Sequence, residues 1–483
     1  MGFSGVQRIV GFLIAASSLM MLPPVLVSLW YHDGTAVVFM ACAGILLAAG
    51  LLIYYPARNA KRDLRLRHGF LIVVSAWLAW VLVGALPFVL LTEPHLGYID
   101  AVFESMSGLT TTGATIITDI DILPRAVLYY RQQLQWLGGM GIIVLAVAIL
   151  PMLRVGGMQL YRAETPGPMK DAKLTPRITE TAKALWLIYF GITVTCVFAY
   201  WLAGMQLFDA VGHAFSTVAI GGFSTHNESI AFWDNPTIEA VARVFMAIAG
   251  INFALHFSAW RRASAQPYFL DPELKVYAVL LFSFAVLVSF ALFLTGSYDT
   301  LATSFRYGFF QVISAMTTTG FTTAPFFEWT GFLPVLLICI AFIGGCAGST
   351  AGGMKVIRVI LLYKQSIREV RRLIHPHAVI PIKVGGQRTS DTVISAVWGF
   401  FFLYIANFAV MTVMLTATGL DAETAYSAVG ACITNLGPAL GEAGPNYASL
   451  NDPAKVILSI AMLLGRLEVY TLLVLLTPAF WRD

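Results

Sequence analysis

The chain is poor in charge: Asp, Glu, Lys and Arg make up 12% of its 483 residues, about half the share found in a soluble domain. That scarcity excludes a disordered chain and a soluble enzyme built from domains joined by polar linkers. Cysteine is scarce too. Cys42, Cys196, Cys339, Cys346 and Cys432 are dispersed and without C-x-x-C spacing, which excludes a thiolate metal site and a disulfide framework and leaves them as buried small hydrophobes. No H-E-x-x-H, no G-x-S-x-G and no G-x-G-x-x-G following a strand occurs, and the 8 histidines form no catalytic or metal constellation. An enzyme is therefore not expected. His213 and His256 lie in apolar stretches and are expected to pack there. The net charge of +4 is too small to point to a nucleic-acid partner.

What the chain has is hydrophobic length. Apolar residues make up 58% of it, and uncharged windows recur at 9–31, 34–57, 70–92, 132–153, 184–208, 244–260, 276–298, 329–354 and 392–420. About 20 such residues cross a bilayer as a helix. The first window follows Arg8, exceeds a signal-peptide core and runs through Pro23 and Pro24 to Trp30, so an uncleaved spanning helix is expected.

Basic residues gather in alternate loops: Arg58 to Arg67, Arg154 to Lys183, Arg261 to Lys275, and Lys355 to Arg388. Short basic loops stay in the cytoplasm, which puts both termini, with Arg8 and Arg482, on that side. The opposite side holds most acids, among them Asp33, Asp100, Glu104, Asp121, Asp209 and Glu239. Such a face either concentrates cations or simply solvates the loops.

A fourfold repeat lies on the acidic side: DAVFESMSGLTTTG (100–113), DAVGHAFSTVAIGG (209–222), YGFFQVISAMTTTG (307–320) and TAYSAVGACITNLG (424–437). Each has a small residue at the eighth position, Ser107, Ser216, Ser314 or Ala431, and ends in glycine. A helix of roughly 10–12 residues rises only about 15–18 Å, so it enters a membrane without crossing it. A spanning segment precedes and follows each repeat, and a glycine falls near the middle of the following one: Gly139, Gly250, Gly345 and Gly465. The predicted fold is an all-α polytopic membrane protein, with four pseudo-symmetric units of helix, half-helix, extended segment and helix around a central pore. Residues 1–68 form two additional N-terminal helices, and the units are expected at 69–179, 180–274, 275–390 and 391–483. Non-helical backbone at membrane depth persists only when buried in protein or lining a water-filled path, and four such segments on one axis can turn carbonyls toward a dehydrated cation.

These residues resemble the superfamily of K+ transporters that includes the bacterial Trk and Ktr membrane subunits, and most closely its TrkH branch, over essentially the whole chain. The carriers of the resemblance are TTTGAT (110–115), IGGFST (220–225), TTTGFTT (317–323) and TNLGPAL (434–440). By that resemblance the K+-coordinating carbonyls belong to Thr111, Thr112 and Gly113; Ile220, Gly221 and Gly222; Thr318, Thr319 and Gly320; and Asn435, Leu436 and Gly437. It further implies K+ uptake across a bacterial inner membrane, a homodimer, and a cytoplasmic TrkA-like nucleotide-binding regulatory subunit. K+ is the only ion or cofactor implied.

Between 344 and 355 the sequence reads GGCAGSTAGGMK. Glycine costs about 1 kcal/mol relative to alanine inside a helix, so a break is expected around Gly344, Gly345, Gly348, Gly352 and Gly353. Two readings fit: close helix packing through small residues, or the intramembrane gate that the resemblance implies. A phosphate loop is excluded, because Met354 separates Gly353 from Lys355. Arg466 falls about midway in an apolar helix expected over roughly 456–480. A charge at that depth marks an ion pathway or a structural ion pair; the resemblance implies a barrier across the pore. Glu468 lies two residues on, off the same helix face. The competing class is a secondary transporter that holds a small solute, or K+ coupled to H+ or Na+, at a broken helix. Such transporters show two inverted halves, whereas these four repeats run in one order.

Overall fold

The computed structural model describes residues 4–59, 66–144 and 178–481. The predicted basic residues Lys61, Arg62, Arg65, Arg154, Arg162, Lys170, Lys173, Arg177 and Arg482 lie outside them. Helix dominates the described residues, with one two-residue ladder pairing Lys383–Val384 to Gln387–Arg388. Among the described residues six helices are long and apolar enough to cross a membrane: Ser4–Tyr31, Ala36–Ala57, Gly69–Leu90, Ala182–Leu202, Pro272–Leu294 and Asp391–Ala417. The chain is a multi-pass membrane protein.

The first two of these pack on each other through glycine. A Cβ on Gly50 would fall 2.2 Å from the Ala15 backbone nitrogen, and one on Gly11 2.6 Å from that of Tyr54. The remaining four each lead into a short helix: Tyr98–Leu109, Leu207–Ala219, Leu301–Thr317 and Ala422–Ile433. The start signals are local. Asp421 and Thr300 cap two short helices by accepting from Thr424 N and Thr303 N, and Asn235-Pro236 and Asp271-Pro272 open two others with a side-chain cap followed by proline. The short helices are buried along most of their length, including polar residues such as Glu104, Ser107, His213 and Ser216.

The segments after the second and fourth short helices depart from the expectation of straight spans, whereas the one after the third breaks at its glycine run as expected. The window 244–260 is two helices, Pro236–Ala249 and Phe253–Arg262, bent by 92°. The window 329–354 becomes helix Leu333–Ile343 and then non-helical backbone before helix Val356–Ile374. The last helix is not continuous over 456–480 either: Asp452–Arg466 and Val469–Leu476 meet at 114°, with Glu468 at φ 59°. Hydropathy reports what lies in an apolar setting, not whether the backbone runs straight through it. Gly250, Gly345 and Gly465 lie at these three breaks, whereas Gly139 lies within the unbroken helix Arg125–Val144. Of the cysteines, Cys42, Cys196, Cys346 and Cys432 are buried as expected, but Cys339 is exposed.

Candidate functional site

All four short helices end in the same way. A residue two positions before the terminal glycine takes a left-handed conformation: Thr111 (φ 53°), Ile220 (φ 55°), Thr318 (φ 60°) and Asn435 (φ 58°). The next N–H then reaches back to the eighth-position carbonyl: Thr112 N to Ser107 O at 2.9 Å, and Gly221 to Ser216, Thr319 to Ser314 and Leu436 to Ala431 at 2.8 Å each. This is the helix-ending geometry that normally recruits glycine, here carried by Thr, Ile, Thr and Asn. A β-branched residue there is strained. The terminal glycines lie beyond the helix ends and are also left-handed, with φ of 82°, 81°, 82° and 95° at Gly113, Gly222, Gly320 and Gly437.

These glycines close a ring. A Cβ on Gly113 would fall 2.2 Å from Gly221 O, on Gly222 2.1 Å from Thr319 O, on Gly320 2.2 Å from Leu436 O, and on Gly437 2.4 Å from Thr112 O. Each glycine therefore faces the carbonyl that precedes the glycine of the next segment, and the fourth returns to the first. The arrangement needs glycine twice over, for its φ and for the space beside a neighbouring backbone oxygen. Two of the sequence-predicted carbonyls also accept side-chain hydrogen bonds, Gly221 O from Gln135 Nε2 and Gly437 O from Tyr447 OH, both at 2.6 Å; a carbonyl has a second lone pair to offer.

Behind the ring stands a shell that the motif search passed over. Glu104 and Arg131, both fully buried, pair at 2.8 Å. The Glu104 carboxylate also accepts from Thr115 Oγ1 and Ile116 N, and Arg131 donates to Ser224 O and lies over the Phe223 ring. Gln135 exchanges bonds with Gly221 O and Phe223 N. The signal was present in the sequence as RQQLQ (131–135), a polar run at the edge of an apolar window. Several acids assigned to the outer face are likewise structural: Glu239 is buried against Arg306 at 2.6 Å, and Asp100 meets Lys455 at 2.7 Å.

The glycine-rich backbone 344–355 lies across the C-terminal ends of the short helices. Gly352 N donates to Thr318 Oγ1 at 2.7 Å, Gly353 N to Thr434 O at 3.1 Å, and Thr350 Oγ1 to Val218 O at 3.0 Å. A Cβ on Gly352 would stand 1.9 Å from Thr434 O. Gly344, Gly348 and Gly353 hold φ of 75°, 73° and 70°, and Gly345 lies 3.0 Å, by its missing Cβ, from Gly250 O. Arg466 is 1% exposed, and its guanidinium donates to Thr350 O and Gly138 O at 3.0 Å each, bridging the loop to the first unit's second helix. Glu468 pairs not with Arg466 but with Arg358, at 2.9 Å: the break at 466–469 turns the two side chains to different partners. Arg466, Asn435, Gly352, Gly353, Arg358 and Glu468 line a common cavity. His213 is packed, its Nδ1 on Asp209 O and its Nε2 on Ser224 Oγ. Among the described residues no group of His, Cys, Asp and Glu could hold a metal ion.

Comparison with known proteins agrees with this geometry. The family model TrkH, described as a cation transport protein, matches residues 36–482. A Trk system potassium uptake protein TrkH of Halomonas elongata is 56% identical over 477 residues, 99% of each chain. That of Escherichia coli (strain K12) is 52% identical over the whole of both chains. The crystal structure of the potassium transporter TrkH from Vibrio parahaemolyticus superposes with a TM-score of 0.93 at 49% identity, covering 100% of both. The chain belongs to the TrkH family of cation transport proteins.

Proposed function

We propose that this chain takes up K+ across the bacterial cytoplasmic membrane, through the axis enclosed by its four left-handed segments. The observation that carries the proposal is the cyclic ring, in which each terminal glycine is pressed against a backbone oxygen of the next segment. Carbonyls of Thr111, Thr112 and Gly113, and of their counterparts in the other three segments, replace the water shell of the ion. The four short helices add the negative ends of their dipoles at the same place. The names of the relatives, potassium uptake proteins, support K+ as the ion. One glycine at the shared register of each segment, rather than the two of a tetrameric K+ channel filter, gives fewer ordered layers, and K+ is preferred over Na+ only to a moderate degree, with Rb+ also passing.

The loop 344–353 and Arg466 act as the barrier in this proposal. The loop occupies Thr318 Oγ1 and Thr434 O at the ends of the short helices, and Arg466 adds a buried positive charge beside it. A cytoplasmic nucleotide-binding subunit like TrkA, docked on a homodimer of this chain, releases the loop. Helix Val356–Ile374 begins where the loop ends and exposes Tyr363, Val370, Leu373 and Ile374, which gives such a partner a lever. Both termini are cytoplasmic.

The test is flux into vesicles that hold the purified chain. K+ and Rb+ uptake exceeding Na+ uptake is expected; equal K+ and Na+ rates would sink the proposal.

A further inference from the structure

We propose that Glu273 is the clasp of the glycine loop, a positioning residue that keeps the barrier in place; this inference rests on the gating role proposed above for that loop. Glu273 occupies the first turn of helix Pro272–Leu294, after the Asp271 cap. Its side chain is 2% exposed, although nothing in ion permeation requires a carboxylate there. Its Oε1 accepts from Ala347 N at 2.8 Å and from Ile357 N at 3.1 Å.

One of those donors lies inside the loop and the other beyond its end. Ala347 follows Gly344, Gly345 and Cys346 on the way in, and Ile357 opens the helix Val356–Ile374 on the way out. A single carboxylate oxygen therefore ties entry to exit. The other bonds of the loop include Cys346 N to Gly250 O, Phe253 N to Gly348 O, Gly352 N to Thr318 Oγ1 and Arg466 Nη1 to Thr350 O. Glu273 supplies the carboxyl acceptor in this set, and one of its oxygens takes both bonds. It acts beside two backbone bonds that also join the two ends, Val356 N to Gly345 O at 3.0 Å and Met354 N to Phe342 O at 2.9 Å. Glycines at positive φ on either side leave the loop little stiffness of its own, so swinging it away from Thr318 and Thr434 requires this clasp to open first. A movement of helix Val356–Ile374 would break the Ile357 bond directly, which connects a cytoplasmic stimulus to the barrier.

Cys346, one residue before Ala347, is buried and serves as a native reporter of loop position. The experiment compares wild type, Glu273→Gln, Glu273→Ala and, separately, Arg466→Ala. All carry serine at Cys42, Cys196, Cys339 and Cys432, and the full chain is reconstituted in vesicles. Rb+ uptake and the rate of Cys346 modification by a water-soluble thiosulfonate are read together. Losing two buried hydrogen bonds is expected to raise the open-to-closed ratio about tenfold or more. Uptake and labelling should rise in the order wild type, Glu273→Gln, Glu273→Ala, because glutamine keeps an acceptor oxygen and alanine keeps none. Selectivity for K+ over Na+ should stay constant, which a general loosening of the fold would not allow. If Glu273→Ala fails to reach the membrane, the labelling rate of Glu273→Gln decides the matter. Folded variants with wild-type uptake and labelling, beside an Arg466→Ala chain with raised uptake, would overturn the clasp while sparing the gate. Raised uptake in the Glu273 variants with none in Arg466→Ala supports the clasp and removes Arg466 from the barrier.

Discussion

Glu104 and Arg131 form a fully buried ion pair, 2.8 Å apart, that joins the backs of two neighbouring segments of the ring. Glu104 holds Ile116 N beyond Gly113, and Arg131 holds Ser224 O beyond Gly222. Removing one partner of such a pair strands the other charge, at a cost of about 3–5 kcal/mol. Glu104→Gln and Arg131→Gln should each lower the melting temperature in detergent and reduce the K+ to Na+ uptake ratio. The double variant should lose less than the sum of the two. Additive losses would show that the pair does not act as a unit.

The ring glycines make a sharper prediction. Alanine at Gly222 puts a Cβ 2.1 Å from Thr319 O and at Gly320 2.2 Å from Leu436 O, and it adds about 1–2 kcal/mol of left-handed strain. Both substitutions should abolish K+ selectivity in vesicle flux. The same change at Gly34, which also has positive φ but nothing within 4 Å, should leave selectivity intact.

Arg466→Ala removes the two bonds to Thr350 O and Gly138 O and the charge between them. Unitary conductance should rise, and Arg466→Lys should restore part of the barrier, since an ammonium keeps the charge but not the paired geometry. Unchanged conductance in a well-folded Arg466→Ala chain would count against the barrier.

Beyond the second short helix, His226 Nδ1 meets Asp121 Oδ1 at 2.7 Å, and Nε2 faces Asp209 Oδ2 at 3.8 Å. Partial burial opposes charging this imidazole, but the Asp209 and Asp121 carboxylates outweigh it and raise its pKa above the ordinary 6.5. A raised folded-state pKa means that the tie is fully present below 6.5 and is lost as the pH climbs through the raised value. Thermal stability should fall over that upper window, and His226→Gln should flatten the dependence. Stability that rises with pH there would contradict the ion-paired arrangement.

Much of the site was legible in the chain. The four 14-residue repeats put a small residue and a glycine at fixed positions, and a glycine demanded by local backbone geometry leaves its mark at its own position. The helix breaks were legible only in part, because a glycine run such as 344–353 announces itself whereas the turn at Glu468 follows a residue with no such preference. Thr111, Ile220 and Thr318 carried no signal for a left-handed conformation, which a β-branched residue avoids in a peptide, whereas Asn435 is of a type that tolerates it.

Membrane residence, the order of the four units and the register of the glycines were determined by the sequence alone, because hydrophobic length, charge sign and backbone freedom are properties of residues near one another in the chain. The ring and its supports were decided by tertiary structure. Gly437 meets Thr112, Arg466 meets Gly138, and Glu273 meets Ala347 and Ile357 only after the chain has closed on itself. Closure supplies the buried surroundings in which strained residues are held and unpaired polar groups are costly, so it, and not local preference, selects each partner.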